Sequence, residues 1–175
     1  MENKLLIPVL LGTAREGRQS EKAAIYVSEQ LIAAGFDAPL VDVRDYAVGV
    51  TTPPWIPSEA FASWKELMGR ADGLVIVSPE YNHGYPGELK IMLDSLMAEY
   101  ARKPVGICGV SSGGFGGVRV VEQLRLIAIN FQMVPLKAAV QFSNIETFES
   151  AKYDEGVKKF CEELQWMATA LKNAR

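Results

Sequence analysis

The stretch that decides the fold runs from residue 5 to residue 35 and reads "LLIPVLLGTAREGRQSEKAAIYVSEQLIAAG". Its opening apolar run ends at Gly12, which is typical of a buried strand. Pro8 predicts an irregular start to that strand, because proline has no N–H to donate to a sheet. Apolar residues then recur at helical spacing from Ala24 until Gly35, with Ser20 as the expected N-cap. The stretch therefore predicts a strand, a polar loop and a helix.

The same order repeats along the rest of the chain. Further strands are predicted at 38–43, 73–78, 103–110 and 132–142, and further helices at 58–71, 87–100, 118–131 and 150–172, with a long loop at 44–57. These strands are apolar runs rather than alternating ones, which indicates a parallel sheet covered on both faces. We therefore expect an α/β fold with a doubly wound, five-stranded parallel sheet.

Composition places the chain among packed globular proteins. It has 175 residues, of which 49% are hydrophobic and 22% charged, and this fits one domain over residues 1–175. A net charge of −3 without a block of like charges argues against a nucleic-acid partner. No apolar stretch is long enough to span a bilayer, and the first twelve residues do not resemble a signal peptide. Cys108 and Cys161 lie in apolar segments, as expected of buried thiols in a cytoplasmic protein.

Three unusual loops follow the first, third and fourth predicted strands. They read "GTAREGRQS" (12–20), "PEYNHGYPG" (79–87) and "SSGGFGG" (111–117). The carboxyl ends of parallel strands meet at one edge of a doubly wound sheet, and ligands bind there. The three loops should therefore converge on one crevice.

The first loop has the glycine spacing of a Walker A motif but lacks its Lys and Ser/Thr, since Arg18 and Gln19 stand there. Binding of a nucleoside triphosphate with Mg²⁺ is therefore not expected. The helix N-terminus, the Thr13 and Ser20 hydroxyls, and the Arg15 and Arg18 guanidinium groups suit a terminal phosphate monoester. The alternative is an ordinary turn with a serine cap and two solvated arginines.

The other two loops suit a flat ligand, and the alternative for each of them is a plain turn. Residues 79–87 combine two prolines, two glycines and a cluster of aromatic and amide side chains, and residues 111–117 hold four glycines and Phe115. His83 is the only histidine, so a metal site is not expected. Its role is left open between a catalytic base and a bystander at the rim of the pocket.

Together the three loops resemble the NADPH-dependent FMN reductase family, which has a flavodoxin-like fold with strand order 2-1-3-4-5. The resemblance rests on "GTAREGR..S", "SPEYNHGYPGELKIMLD" and "GVSSGGFGGVRVVEQLR". The chain departs from the family pattern at Gln19, and at Ile91 and Met92, where Asn-Ala is usual. The helical departures bear on packing or on a dimer surface rather than on the flavin.

The resemblance implies hydride transfer from NADPH or NADH through FMN to a small-molecule electron acceptor, with no catalytic side chain and no metal. The implied FMN contacts are Thr13, Arg15, Arg18, Gln19, Ser20, Pro79, Glu80, Tyr81, Asn82, His83, Gly84, Ser111, Ser112, Gly113 and Gly114. Tyr85, Phe115 and Arg119 are the candidates for contacting the nicotinamide or the acceptor. Relatives of this kind form homodimers or homotetramers.

Several alternatives stay open at this point. A flavodoxin-like electron carrier or a flavin-binding redox sensor would share the fold, although flavodoxins are usually more acidic than a net charge of −3. A phosphate-ester or nucleotide-binding domain without flavin would share the first loop. The acceptor, the choice between NADPH and NADH, and whether Arg15 and Arg18 both contact the phosphate are not decided by the sequence.

Overall fold

The computed structural model describes residues 4–46 and 49–175. Its strands are β1 (Val9–Leu11), β2 (Leu40–Asp42), β3 (Leu74–Pro79), β4 (Pro104–Val110) and β5 (Val134–Phe142). Its α-helices are α1 (Ser20–Ala33), α2 (Ala62–Arg70), α3 (Gly87–Asp94), α4 (Val118–Asn130) and α5 (Asp154–Asn173). All four strand pairings are parallel, in the order β2-β1-β3-β4-β5. The predicted fold class and strand order are confirmed.

Two apolar layers cover the sheet. One layer places α1 and α5 against one face, with Val27 and Phe160 among its fully buried side chains. The other places α2, α3 and α4 against the opposite face, with Trp64 and Leu89 at its centre. Strands β3 and β4 are buried along their whole length. This double cover explains why they read as continuous apolar runs.

Several predicted boundaries move by a few residues. Strand β1 is shorter than the apolar run, and only Leu6 forms an isolated bridge before Pro8, since proline has no N–H for the ladder. Helix α3 ends at Asp94, where the Ser95 hydroxyl donates to the Met92 carbonyl and so competes with further helical bonds. A separate 3-10 turn at Ala98–Tyr100 occupies the rest of the predicted helix.

The loop predicted over 44–57 is partly helical, because a 3-10 turn spans Val43–Tyr46. Residues 47 and 48 of that loop lie outside the described residues, as do the first three residues of the chain. A 3-10 turn at Ser150–Lys152 also precedes α5, which begins at Asp154 rather than at Ser150.

Candidate flavin-binding site

A cleft of about 800 Å³ lies at the carboxyl edge of the sheet, within the size range of cofactor pockets. It is lined by Arg15, Glu16, Gly17, Arg18, Gln19, Ser20, Pro79, Glu80, Tyr81, Asn82, Val110, Ser111, Ser112, Ile145 and Glu146. The loops after β1, β3 and β4 thus converge on one crevice, as the sequence predicts. Most of the predicted cofactor residues share its wall.

The start of α1 leaves buried polar groups without a partner. Gln19 is the N-cap residue and Ser20 the first helical residue, so the prediction that Ser20 caps the helix is wrong. The Ser20 Oγ is buried, and among the described residues it has no hydrogen-bond partner. The Arg18 Nε is also buried and has no hydrogen-bond partner among the described residues. Unpartnered buried donors are costly, and their position beside free helical N–H groups fits an anion.

Arg18 is placed differently from the bidentate phosphate contact that the sequence suggests. Its Nη1 donates to the Thr13 carbonyl and to Asp42 Oδ1, both at 2.7 Å, and its Nη2 donates to Glu21 and Asp42. The hydrogen bonds that the Arg18 guanidinium donates to Asp42 raise the pKa of that guanidinium despite its burial. Arginine has five N–H donors, and the terminal four are used here. Only Nε–H is left for an anion.

Thr13 is fully buried and holds the loop from inside. Its hydroxyl donates to Glu88 Oε1 at 3.0 Å and accepts from the Arg15 backbone N–H at 3.2 Å. The Tyr81 hydroxyl lies 3.3 Å from the same Thr13 oxygen. Glu88, in the first turn of α3, also accepts from the Ala14 N–H at 2.8 Å. The side chain of Thr13 therefore ties the loop to α3 and does not line the cleft.

Arg15 and Gln19 are both exposed in the first loop. The Arg15 guanidinium lies over the Tyr81 ring, 5.0 Å from its centroid, which is a cation–π distance. Gln19 donates to the Gly17 carbonyl at 3.1 Å. Arg15 therefore keeps its charge at the mouth of the cleft, while Gln19 closes the turn of its own loop.

The second loop forms a tight hairpin at the cleft. Tyr81 and Gly84 exchange two backbone hydrogen bonds of 2.9 Å, and the residues between them, Asn82 and His83, both have positive φ. This is the geometry of a two-residue hairpin turn. Pro79, Glu80, Tyr81 and Asn82 line the cleft, whereas His83 and Gly84 lie outside its lining. The His83 side chain is exposed.

The surroundings of Glu80 differ from those expected of a residue that only contacts the flavin. Its carboxylate is almost completely buried and accepts hydrogen bonds from the backbone N–H groups of Arg119 and Val120. It also accepts from Arg119 Nε at 2.6 Å. The Arg119 guanidinium in turn lies 5.2 Å from the ring centroid of the exposed Phe115. Glu80 therefore caps α4 and fixes a cation–aromatic pair beside the cleft.

Only the first part of the third loop lines the cleft. Ser111 and Ser112 line the cleft, and the Ser111 hydroxyl donates to the Gly113 carbonyl at 2.8 Å. Gly113 and Gly114 lie outside the lining, with no atom within 4 Å of the place where a Cβ would stand. Gly117 has a φ of +76°, and a Cβ there would meet the Val110 nitrogen at 2.7 Å. That glycine is needed for close packing of the loop on β4.

Tyr85 is partly buried against the layer formed by α2, α3 and α4, so its ring is less open than that of Phe115. Sequence reasoning missed Asp42 and Glu88, which hold the first loop, and also Glu16, Ile145 and Glu146 in the lining. Asp42 stands at the carboxyl end of β2, at the same sheet edge as the three loops. This position at the end of a predicted strand could have identified Asp42 as a site residue from the sequence.

Residues 5–147 match the NADPH-dependent FMN reductase family. The chain belongs to this family. It is 35% identical over 131 residues to an NAD(P)H-dependent FMN reductase of Schizosaccharomyces pombe, in a match covering 70% of the chain and 64% of that relative. It is also 34% identical over 139 residues to a quinone reductase of Escherichia coli K12, covering 74% and 72%. The chain thus spans less than two thirds of the length of the S. pombe family member.

Solved structures similar to this family member confirm the flavodoxin-like fold. An oxidoreductase from Corynebacterium diphtheriae superimposes with a TM-score of 0.79 at 18% identity, over 95% of this chain and 98% of that one. A flavodoxin from Pseudomonas aeruginosa superimposes with a TM-score of 0.63 at 16% identity, over 92% and 99%. At these identities the likeness concerns the fold alone.

Within residues 4–46 and 49–175, no three His, Cys, Asp or Glu side chains cluster so that they could hold a metal ion. In the same part of the chain, no helix has the length and apolarity needed to cross a membrane.

Proposed function

We propose that the protein is an FMN-dependent NAD(P)H oxidoreductase acting on a small-molecule electron acceptor. The observation that carries the proposal is the pair of unpartnered buried groups, Ser20 Oγ and Arg18 Nε, at the wall of a cleft built by three loops. Donors that are buried without partners suit the phosphate of FMN, and the remaining cleft has room for its ring system. Membership of the NADPH-dependent FMN reductase family supports the same activity.

FMN, when bound, would accept a hydride from NAD(P)H and pass its electrons to the acceptor. The residues of the chain would bind and orient it. Ser20, Arg18 Nε and the α1 N-terminus would hold the phosphate, with Arg15 adding charge at the mouth. The rigid turn at 79–82 would carry one side of the ring, and Ser111 and Ser112 the other.

The nicotinamide and the acceptor would meet the cofactor beside Phe115. This ring is exposed, lies over Arg119 and is anchored through Glu80, so it offers a fixed apolar surface at the open side. A quinone is one suitable acceptor class, as the name of the E. coli relative suggests.

We also propose an assembly of two or four copies in the cytoplasm. Leu126 and Ile129 stand one helical turn apart on α4 and are 71% and 62% exposed, which is unusual for two neighbouring apolar side chains. Cys108 and Cys161 are both buried free thiols, which suits a reducing compartment.

The decisive experiment is the visible spectrum of the purified protein, followed by anaerobic addition of NADPH or NADH. A yellow protein that is bleached by the nucleotide and recovers its colour with a quinone supports the proposal. A protein that is yellow but not bleached supports an electron carrier or redox sensor instead. A protein that takes up no FMN overturns the proposal.

A further inference from the structure

Asp42 lies at the carboxyl end of β2, 24 positions from Arg18 in sequence, and its two carboxylate oxygens accept from both terminal nitrogens of that arginine. Glu21 and the Thr13 carbonyl accept the remaining terminal N–H groups. The Arg18 side chain is only 2% exposed. The consequence is a guanidinium whose orientation is completely determined by acceptors from the chain itself.

The location of this carboxylate is unexpected for an anion site. A negative charge near a bound phosphate disfavours binding by simple electrostatics. Burial alone would raise the pKa of Asp42, but hydrogen bonds from the Arg18 guanidinium and the Arg44 backbone N–H outweigh that effect and lower its pKa. Asp42 is therefore ionised at neutral pH, and its charge is paired with that of the Arg18 guanidinium.

We propose that Asp42 is a positioning residue for the phosphate subsite: by occupying the terminal nitrogens of Arg18, it leaves Arg18 Nε–H as a preorganised donor in the cleft that Ser20 also lines. The inference rests on the proposed function, since the anion concerned is the FMN phosphate. Both donors are more than nine-tenths buried, line the cleft and have no other partner among the described residues. Preorganised donors bind more tightly because their ordering cost is met during folding.

The contacts of the neighbouring Arg44 support a role for the end of β2 in positioning the first loop. Its backbone N–H donates to Asp42 Oδ1 at 2.9 Å. Its side chain donates to the carbonyls of Ala14 at 3.1 Å and Arg15 at 2.6 Å. Two residues at the end of β2 thus hold the first loop. Asp42 binds the Arg18 side chain, and Arg44 binds two backbone carbonyls.

The test compares the dissociation constants for FMN and riboflavin, which differ by the phosphate alone, in the wild type and in Asp42→Asn. Asparagine keeps the shape of the side chain but offers one acceptor oxygen in place of two. We expect the preference for FMN over riboflavin to fall about tenfold or more, the effect of losing one good hydrogen bond, while riboflavin affinity stays unchanged. Simple removal of a negative charge predicts the opposite sign.

Asp45→Asn is the matched control, since it removes the same charge from an exposed side chain three residues later. Its FMN preference should stay the same or rise slightly. If Asp42→Asn does not fold, Glu21→Gln gives the same test through the 2.9 Å bond to Arg18 Nη2, and a smaller loss of preference is expected.

An unchanged or increased preference for FMN in Asp42→Asn, or in Glu21→Gln when that variant replaces it, overturns the positioning role and leaves the proposed function intact. A wild-type protein that binds riboflavin as tightly as FMN also overturns it, because no phosphate subsite then operates. A wild-type protein that binds neither flavin overturns the proposed function, and the inference with it.

Discussion

The Glu80 carboxylate accepts two hydrogen bonds from Arg119, one from its side-chain Nε at 2.6 Å and one from its backbone N–H at 3.1 Å. It also lies 3.4 Å from the Val120 nitrogen, which donates to the same oxygen as the Arg119 backbone. This one side chain thus links the turn after β3 to the first turn of α4. The loop after β3 and the loop that leads into α4 both line the cleft, and Glu80 ties them together.

Substituting Glu80→Gln should destabilise the protein by about 1–3 kcal/mol, because an amide has one acceptor oxygen and no charge to stabilise the helix N-terminus. Urea unfolding of the flavin-free protein measures this. Glu122→Gln is the control, since Glu122 pairs with Arg125 on the exposed surface of the same helix and should cost less than about 1 kcal/mol. Equal effects in the two variants would contradict the capping role.

Replacing Ser20 by alanine should weaken FMN binding about tenfold without lowering stability. The Ser20 Oγ has no partner to lose among the described residues, so its removal costs the folded protein nothing. Flavin fluorescence gives the dissociation constant and urea unfolding the stability.

Ser28→Ala is the matched control for Ser20→Ala. Ser28 is on the same helix and equally well buried, but its hydroxyl donates to the Ala38 carbonyl at 2.8 Å. This variant should lose about 1 kcal/mol of stability and keep its FMN affinity. A reversed pattern in the two variants would rule out Ser20 as a phosphate donor.

Removing the Phe115 ring should raise the KM for the nicotinamide or the acceptor while the FMN dissociation constant stays the same. The ring is 69% exposed and lies over Arg119 rather than within the cleft lining. Trp166→Ala is a fair control, because Trp166 is also 69% exposed but lies on α5 beside the end of α1. Unchanged KM values for both substrates would exclude Phe115 from their binding sites.

Introducing a charge at Leu126 should dissociate the proposed assembly, since a buried unpaired carboxylate is costly at an interface. Light scattering of Leu126→Glu at several concentrations is expected to give the mass of the monomer, against two or four copies in the wild type. Ile32→Glu changes an exposed apolar side chain on α1 and should leave the mass unchanged. A wild-type protein that is already monomeric would refute the assembly.

Stability at alkaline pH should depend on Lys103, at the opposite edge of the sheet. Burial, together with the positive charge of Arg175, lowers the pKa of Lys103 from 10.5 to about 8. Between these values the unfolded chain binds more protons than the folded one, so this residue makes stability rise with pH from about 8 towards 10.5.

The difference in unfolding free energy between the wild type and Lys103→Met isolates that contribution. It should change in favour of the wild type as the pH rises from about 8 to 10, because the buried amine of the folded protein is neutral in that range and charged only below it. Lys137→Met, which removes a lysine from an exposed position, is the control. Parallel curves for wild type and Lys103→Met would contradict the lowered pKa.

The amino-acid sequence by itself determined the architecture and the place of the site. Apolar runs alternating with helical periodicity specify a parallel sheet covered on both faces, and parallel strands necessarily bring their following loops to one edge. The three loops together, with the P-E-Y-N block as the most specific of them, indicated the family. These features depend on local pattern and on connectivity, which a sequence carries directly.

Only the tertiary structure decided which donors stay free. Arg18 and Ser20 looked equivalent to Thr13 and Arg15 in the sequence, yet Asp42 occupies the Arg18 terminal nitrogens and Glu88 occupies the Thr13 hydroxyl. These partners are 24 and 75 positions away, and they meet because β1, β2 and the start of α3 lie side by side. Hydrogen-bond satisfaction depends on such long-range neighbours, so no local spacing can encode it.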